Sequence, residues 1–144
     1  MGNRAVITTP NNKIGIYVHW NGGIESVLGF CNAAKALGVR APTNHPEYFL
    51  SRLTQIIANF FGGTTSVGIG LVNKLDSSDN GVWVVHDFND IRQGGGVFST
   101  EQLATDDLEK CNAICEQILR QQSPIFEDDY KTIYRVTRVA KAEV

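Results

Sequence analysis

Residues 14–34, IGIYVHWNGGIESVLGFCNAA, decide the fold, because the spacing of their apolar residues changes halfway along. As far as Trp20, apolar residues alternate with a period of two, which predicts a β-strand. The next three residues, Asn21-Gly22-Gly23, permit a sharp turn. Apolar residues then recur three and four positions apart, which predicts an amphipathic helix that ends at Gly38. The chain is therefore expected to pass from a strand to a helix through a glycine turn.

Outward from this segment, the same two periods recur along the chain. Further strands are predicted over Arg4–Thr8, Val67–Leu75, Val82–Phe88 and Thr132–Val139, and further helices from Pro46 and after Ser99. The order β-β-α-α-β-β-α-β does not alternate strictly. We therefore expect the α+β class, with a mostly antiparallel sheet of about five strands packed with two long helices and one further helix. No repeat or long linker divides the sequence, so residues 1–144 are expected to form a single domain.

Three local signals predict the connections between these elements. Asp79-Asn80-Gly81 is a turn signal and predicts a hairpin between the strands on either side of it. Gln93–Gly96 is rich in glycine and is expected to be a flexible loop. Ser99 and Gln102 have the spacing of a capping box, which predicts the beginning of the third helical region.

The composition is that of an ordinary globular protein, with 42% hydrophobic and 19% charged residues. A net charge of −2 disfavours a generic binder of nucleic acid polymers or anionic membranes. The charge is uneven, because residues 101–129 hold eight acidic and two basic residues and the rest of the chain holds seven acidic and eleven basic ones. The part of the chain outside residues 101–129 is therefore basic, and an enclosed anion site there is compatible with the negative net charge of the whole chain. Three cysteines and no apolar run of about 18 residues indicate a reducing compartment and no membrane span.

The turn at Asn21-Gly22-Gly23 is the first candidate for ligand binding. A helix N-terminus presents unpaired N–H groups, and glycines let a phosphate approach the backbone, so phosphate contact is one interpretation. The segment is also similar to the Ser-Gly-Gly-x-Asp-Ser loop of ATP pyrophosphatases, with Asn21 in place of the first serine and Glu25 in place of the aspartate. A nucleotide hydrolase is therefore one alternative, and a turn needed only for chain reversal is another.

Phe88, Asn89 and Arg92 form the second candidate. An aromatic face and an amide can stack on a base and bond its edge, and a guanidinium suits phosphate. In the alternative interpretation, Phe88 anchors its strand in the core while Asn89 and Asp90 form a turn. The sequence contains no nucleophile elbow, Walker loop, Rossmann fingerprint or metal-ligand spacing, so we expect no catalytic residues, metal or cofactor.

Several blocks of the sequence, taken in order, resemble the first Thoeris anti-defence family of phage proteins. The blocks are IYVHWNGG at 16–23, Arg52-Leu53, NFFGG at 59–63, SVGI at 66–69, and DNGV at 79–82 with Asp87. The resemblance implies a sponge that binds the glycocyclic ADP-ribose isomers made by bacterial TIR-domain proteins and does not cleave them. It also implies a homodimer, or a hexamer built from dimers, in the cytoplasm of the host bacterium. Some members of the family also hold cyclic di- or trinucleotides.

The resemblance further implies roles for individual residues. Phe88 and Asn89 would contact adenine. Arg52 and Arg135 would contact phosphate or ribose, and Asn21-Gly22-Gly23 would serve an additional nucleotide pocket. Two alternatives to a sponge stay open, namely the nucleotide hydrolase and a structural protein whose aromatic residues only bury an oligomer interface.

Overall fold

The computed structural model describes residues 2–63 and 65–121, which form six strands and three helices. The strands are β1 (Ala5–Thr8), β2 (Ile14–Val18), β3 (Val67–Leu71), β4 (Val82–Asp87), β5 (Asp90–Gln93) and β6 (Gly96–Phe98). The helices are α1 (Ile24–Ala36), α2 (Pro46–Phe60) and α3 (Thr105–Arg120), and short 3-10 turns span Val72–Lys74 and Thr100–Gln102. The predicted strand over Thr132–Val139 and the candidate Arg135 lie outside the described residues.

The six strands of the described part of the chain form one sheet in the order β3-β2-β1-β4-β5-β6. Neighbouring strands are antiparallel except β1 and β4, which run parallel with Val6 opposite Val82. The α+β class and the mostly antiparallel sheet are therefore confirmed, with six strands in residues 2–121 in place of about five.

The helices pack on one face of the sheet, and the hydrophobic core lies between the two layers. Ile7, Ile16 and Val85 project from the sheet into this core and are fully buried. Phe30 of α1 and Phe49 of α2 belong to the same core cluster. Burial of a large apolar side chain stabilises the folded state by about 1.5–3 kcal/mol, so this interface between layers holds the elements in place.

α1 and α3 approach each other closely at Gly29, where a Cβ would lie 3.0 Å from the Cys111 carbonyl oxygen. Cys31 and Cys111 are buried free thiols of these two helices. Burial raises the pKa of both thiols, and that of Cys111 reaches about 12. Both side chains therefore stay protonated at neutral pH and act as small core residues.

Two of the predicted helices begin and end close to their sequence signals. α1 directly follows the glycine turn and ends at Ala36, shortly before Gly38, which has a φ of 79°. α2 begins with Pro46, whose missing N–H is not needed in a first turn. The predicted capping box is wrong, because Ser99 precedes only a short 3-10 turn, makes no side-chain cap, and α3 begins at Thr105. None of the described helices is long and apolar enough to cross a membrane.

The predicted hairpin between β3 and β4 is wrong. Both strands run parallel to β1, so the chain crosses over residues 72–81 from the edge of the sheet to its centre. Parallel strands cannot be joined by a tight turn. Asp79 and Gly81, with φ of 75° and 81°, do form a turn, but it ends this crossover connection. The Arg4 guanidinium holds the connection through ion pairs of 2.9 Å with Asp76 and with Asp79.

The segment Gln93–Gly96, predicted as a flexible loop, is a two-residue hairpin between β5 and β6. Gly94 and Gly95 both have positive φ, 55° and 87°, as type I′ turns require. Gln93 pairs with Gly96 across this turn. The glycines therefore give a tight connection that suits the twist of the two strands.

Candidate functional site

Of the predicted ligand contacts that the structure describes, Asn21-Gly22-Gly23 and Phe88 with Asn89 form two groups at opposite ends of the sheet. Trp83, the second residue of β4, donates a hydrogen bond from its indole Nε1 to the carbonyl of Gly22 at 2.8 Å. Phe88 directly follows the other end of β4. A strand rises about 3.3 Å per residue, so roughly 15 Å separates the glycine turn from Phe88. Within one copy of the chain, the two groups therefore form separate sites.

Gly22 is enclosed by the beginning of β1. Its N–H donates to the carbonyl of Asn3 at 2.8 Å, and its own carbonyl accepts from Trp83. A Cβ at this position would lie 2.5 Å from the Asn3 oxygen and 2.8 Å from the Ala5 Cβ, closer than such atoms approach. Because the fold already uses its N–H, Gly22 has a structural role and cannot offer that donor to a phosphate.

Asn21 and Glu25 close the beginning of α1. Asn21 has a φ of 58°, a left-handed conformation that asparagine tolerates, and its Nδ2 donates to the Ser26 hydroxyl at 3.2 Å. The Glu25 carboxylate lies over the first turn, since a Cβ at Gly23 would be 2.6 Å from one of its oxygens. A carboxylate is the charge that a helix N-terminus favours, and it would repel a phosphate. The contacts fit the chain-reversal alternative, and phosphate binding at Asn21-Gly22-Gly23 stays a prediction.

Phe88 and Asn89 connect β4 to β5. The Phe88 ring is 8% exposed and packs edge-on against Phe49 of α2, with the ring centroids 5.9 Å apart. The Asn89 Oδ1 accepts a hydrogen bond of 3.0 Å from the backbone N–H of Thr100. These contacts fit the interpretation in which Phe88 anchors its strand in the core, and stacking of its ring on a base stays a prediction.

Arg92 lies on the opposite face of the sheet from Phe88. Because its neighbour Ile91 is buried in the core, the Arg92 side chain points away from the helices. Its Nε and Nη2 donate to the two Asp90 carboxylate oxygens at 3.1 and 3.0 Å. These hydrogen bonds lower the pKa of Asp90 below its usual value. The charge of Arg92 is thus offset locally, and the structure does not bring it together with Phe88.

A cluster that the sequence analysis missed lies at the beginning of α2. The guanidinium carbon of Arg40 is 4.8 Å from the centroid of the Tyr48 ring, and that of Arg52 is 5.8 Å from it. All three residues are exposed. Within residues 2–63 and 65–121, neither arginine forms a salt bridge. These three residues are called the arginine–tyrosine patch below.

Only part of this patch could be recognised in the sequence. Tyr48 and Arg52 are four residues apart in a predicted helix, and such side chains are neighbours on the helix surface. Arg40 precedes the helix, in the connection from α1 to α2. Its position depends on how that connection folds back, so spacing along the chain gives no signal for it.

The arginine–tyrosine patch lies at the same end of the sheet as Phe88. Phe49 follows Tyr48 in α2 and packs its ring against Phe88. Neighbours on a helix point about 100° apart, so the Phe49 ring enters the core while the Tyr48 ring lies at the surface. Two of the predicted ligand contacts are therefore brought to the same region of the molecule. Arg52 lies on the exposed face of α2, and Phe88 lies in the core beneath the first turns of this helix.

The chemistry of the patch is that of an anion site. A guanidinium keeps its charge throughout the physiological pH range and presents planar N–H donors that match phosphate oxygens. The face of the tyrosine ring attracts both cations and adds an apolar surface for stacking. The patch therefore combines two charged groups that donate N–H bonds with one aromatic surface, which suits the binding of an anion.

No protein-family model matches this chain, and neither a curated protein nor a solved structure matches it significantly. The resemblance to a phage anti-defence family therefore stays a prediction from the sequence blocks.

Proposed function

We propose that this chain is a phage anti-defence protein that binds a glycocyclic ADP-ribose signal made by bacterial TIR-domain proteins and holds it without cleaving it. The sequence blocks that resemble the first Thoeris anti-defence family suggest the ligand. The arginine–tyrosine patch supplies groups that suit such a ligand. In this proposal the protein acts as a homodimer or hexamer in the cytoplasm of the host bacterium, where binding removes the signal from its effector.

The observation that carries the proposal is the pair of guanidinium groups of Arg40 and Arg52 within 4.8 and 5.8 Å of the centroid of the exposed Tyr48 ring. A cyclic ADP-ribose carries a diphosphate and an adenine. The diphosphate requires charged donors, which the two arginines present. The adenine requires an aromatic or guanidinium face on which to stack, which the same three side chains present.

The other candidate residues take different roles in this proposal. Arg52 is a phosphate contact, as the resemblance implies, and Arg40 acts with it. Phe88 is a positioning residue, because its buried ring supports Phe49 and with it the first turns of α2. Asn89 stays a candidate contact for the adenine edge.

A sponge requires affinity rather than turnover. A micromolar Kd corresponds to about −8 kcal/mol. Charged hydrogen-bonding groups contribute about 1.5–3 kcal/mol each, and one stacked base contributes about 1–3 kcal/mol. Two arginines and one aromatic ring therefore supply a large part of the required free energy, and burial of the ligand supplies the rest.

The proposal is tested with glycocyclic ADP-ribose produced by a TIR-domain enzyme. Purified protein is incubated with this ligand, separated from unbound ligand by gel filtration and denatured by heat, and the released molecules are identified by mass spectrometry. Intact ligand is expected. A cleaved product would indicate the nucleotide hydrolase, and no ligand would indicate a structural protein, so either result contradicts the sponge.

Substitutions in the patch test the site itself. Arg40→Ala and Arg52→Ala should each weaken binding by about tenfold to a hundredfold in calorimetric titrations, because each removes a charged donor. Arg120→Ala is the matched control, since Arg120 is exposed on α3 and pairs with Glu116 at 2.6 Å. Its affinity should equal that of the wild type. If Arg52→Ala binds as tightly as Arg120→Ala, the patch is not the ligand site.

A further inference from the structure

Within residues 2–63 and 65–121, β3 is an edge strand of the sheet. It pairs with β2 in a continuous register, from Ile14 opposite Leu71 to Val18 opposite Val67. Among the described residues, no strand pairs with its other side. An edge of this kind presents a row of N–H and C=O groups that can bond to another strand. In the described part of the chain, the side of β3 turned away from β2 can therefore accept a further strand.

The hydrogen bonds to β2 identify the outward-facing residues of β3. The N–H of His19 donates to the Ser66 carbonyl, and the N–H of Val72 donates to the Lys13 carbonyl, both at 2.9 Å. Antiparallel ladders alternate, so every second residue bonds to β2 and the residues between them bond outward. The outward-facing residues are Val67, Ile69 and Leu71.

The side chains of these three residues lie on the face of the sheet that the helices cover, because Ile69 is opposite the buried Ile16. Val67 is partly buried against the core, whereas α2 leaves the other two uncovered at the edge, where Ile69 is 57% exposed and Leu71 is 52% exposed. A groove of about 180 Å³ beside Ile69 is lined in part by Ile14 of β2 and Leu50 of α2. Open backbone groups and an apolar surface therefore occur together along this edge.

The strand is also complementary to itself. Its residues VGIGL read apolar, glycine, apolar, glycine, apolar in both directions, and no residue from Thr65 to Asn73 is charged. An interface between two identical copies related by a two-fold axis requires a surface that complements itself. We propose that two copies of this chain pair antiparallel through β3, with Ile69 of one copy opposite Ile69 of the other.

The register follows from the outward-facing backbone groups. With Ile69 at the axis, Val67 of each copy pairs with Leu71 of the other, and the two strands form about six hydrogen bonds between the copies. The Val67 and Ile69 side chains of one copy then lie beside the groove of the other, while Gly68 faces Gly70 on the outer face. Because β3 contains no charged side chain, pairing of the two strands does not remove any charged group of β3 from water. This interface deepens the homodimer or hexamer of the proposed function by naming the surface through which two copies meet, and because it forms without any ligand it is tested separately from ligand binding.

Sedimentation velocity tests the interface. The wild type should sediment as a dimer or a larger even-numbered oligomer, and Ile69→Lys should have half the wild-type mass, because it places two like charges at the axis. Val97→Lys is the matched control, since Val97 is 49% exposed on β6, the opposite edge strand, and its mass should not change. A monomeric wild type, or a folded Ile69→Lys variant with the wild-type mass, overturns the proposal.

Cysteine cross-linking tests the register without adding a charge. The Cα atoms of the two Ile69 residues should be about 5.5 Å apart, within the disulfide range of about 4.4–6.8 Å. Ile69→Cys should therefore give a disulfide-linked dimer on mild oxidation. Val67→Cys has the same native cysteines but should not cross-link, because its two copies are about 13 Å apart. Equal cross-linking of the two variants, or none in either, rejects a two-fold axis at Ile69.

Discussion

The glycine turn before α1 and the arginine–tyrosine patch on α2 both carry N–H donors of kinds that suit anions, but the fold uses these donors differently. In the turn, the N–H of Gly22 already donates to Asn3 at 2.8 Å. In the patch, Arg40 and Arg52 contact the ring of Tyr48, and among the described residues no carboxylate forms a salt bridge with either arginine. A motif can bind a ligand only through groups that the fold leaves available. Changes in the turn should therefore lower stability, whereas changes in the patch should lower affinity at constant stability.

The largest effect on stability is expected from Gly22→Ala. The added Cβ would lie 2.5 Å from the Asn3 oxygen and 2.8 Å from the Ala5 Cβ, so the start of β1 must shift. We expect the free energy of unfolding to fall by about 3 kcal/mol, at the upper end of the usual cost of overpacking. Urea denaturation followed by circular dichroism measures this change.

The reference variant for this measurement is Arg52→Ala. Its side chain is exposed and forms no salt bridge within the described residues, so its free energy of unfolding should stay within about 0.5 kcal/mol of the wild-type value. Equal stability of Gly22→Ala and Arg52→Ala would show that the turn and the patch do not differ in the proposed way.

A smaller effect is expected from Trp83→Phe. The substitution removes the indole N–H that donates to the Gly22 carbonyl at 2.8 Å and leaves this acceptor buried without its donor. Such a loss costs about 2 kcal/mol of unfolding free energy. Trp20→Phe is the control, because Trp20 is 45% exposed and should unfold almost as the wild type does. Similar losses in both variants would mean that ring size, not the hydrogen bond, matters.

The smallest effect is expected from acid, which acts on the ion pairs next to the turn. Arg4 bonds Asp76 and Asp79. Hydrogen bonds from Ser78, with a smaller effect of the Arg4 charge, lower the pKa of Asp76, and hydrogen bonds from Arg4 lower that of Asp79. The two carboxyl groups therefore bind protons more readily in the unfolded chain than in the folded one. Their contribution to the free energy of unfolding is complete above the unfolded pKa of about 3.9, and it is lost as the pH falls through their lowered pKa values in the folded protein.

Denaturation at a series of pH values measures this loss, and Arg4→Met provides the comparison. The variant lacks the guanidinium, so its free energy of unfolding should depend less on pH between neutral and acidic solution than that of the wild type. Parallel pH profiles for the two proteins would contradict a role for these ion pairs.

The first two helices were predictable because their signals are local, whereas the capping-box signal at Ser99 did not give the beginning of α3. The turn at Asn21-Gly22-Gly23, Gly38 and Pro46 each determine a helix boundary through their own backbone chemistry. Strand pairing depends on partners far away in the chain. Asp79-Asn80-Gly81 has the same turn chemistry in a hairpin and in a crossover, and only the position of β1 between β3 and β4 decides between them.

The candidate site was predictable only in its residue types. Phe88 and Tyr48 are both aromatic residues close to polar neighbours, but packing against Phe49 places Phe88 inside and leaves Tyr48 outside. Arg52 was predicted as a ligand contact and lies in the patch. Arg40 joins it only through the path of the α1–α2 connection, which no spacing rule describes.

The parallel pairing of β1 with β4 sets the order in which the sheet can assemble. Short connections join β1 to β2 and join β4, β5 and β6 in succession. Hairpins of this kind form in about 1–10 μs. Val6 and Val82 are 76 positions apart, and contacts of such long separation require closure of a large loop and slow the folding reaction. We expect the two local groups of strands to form early, and the β1–β4 contact to unite them in the slowest step.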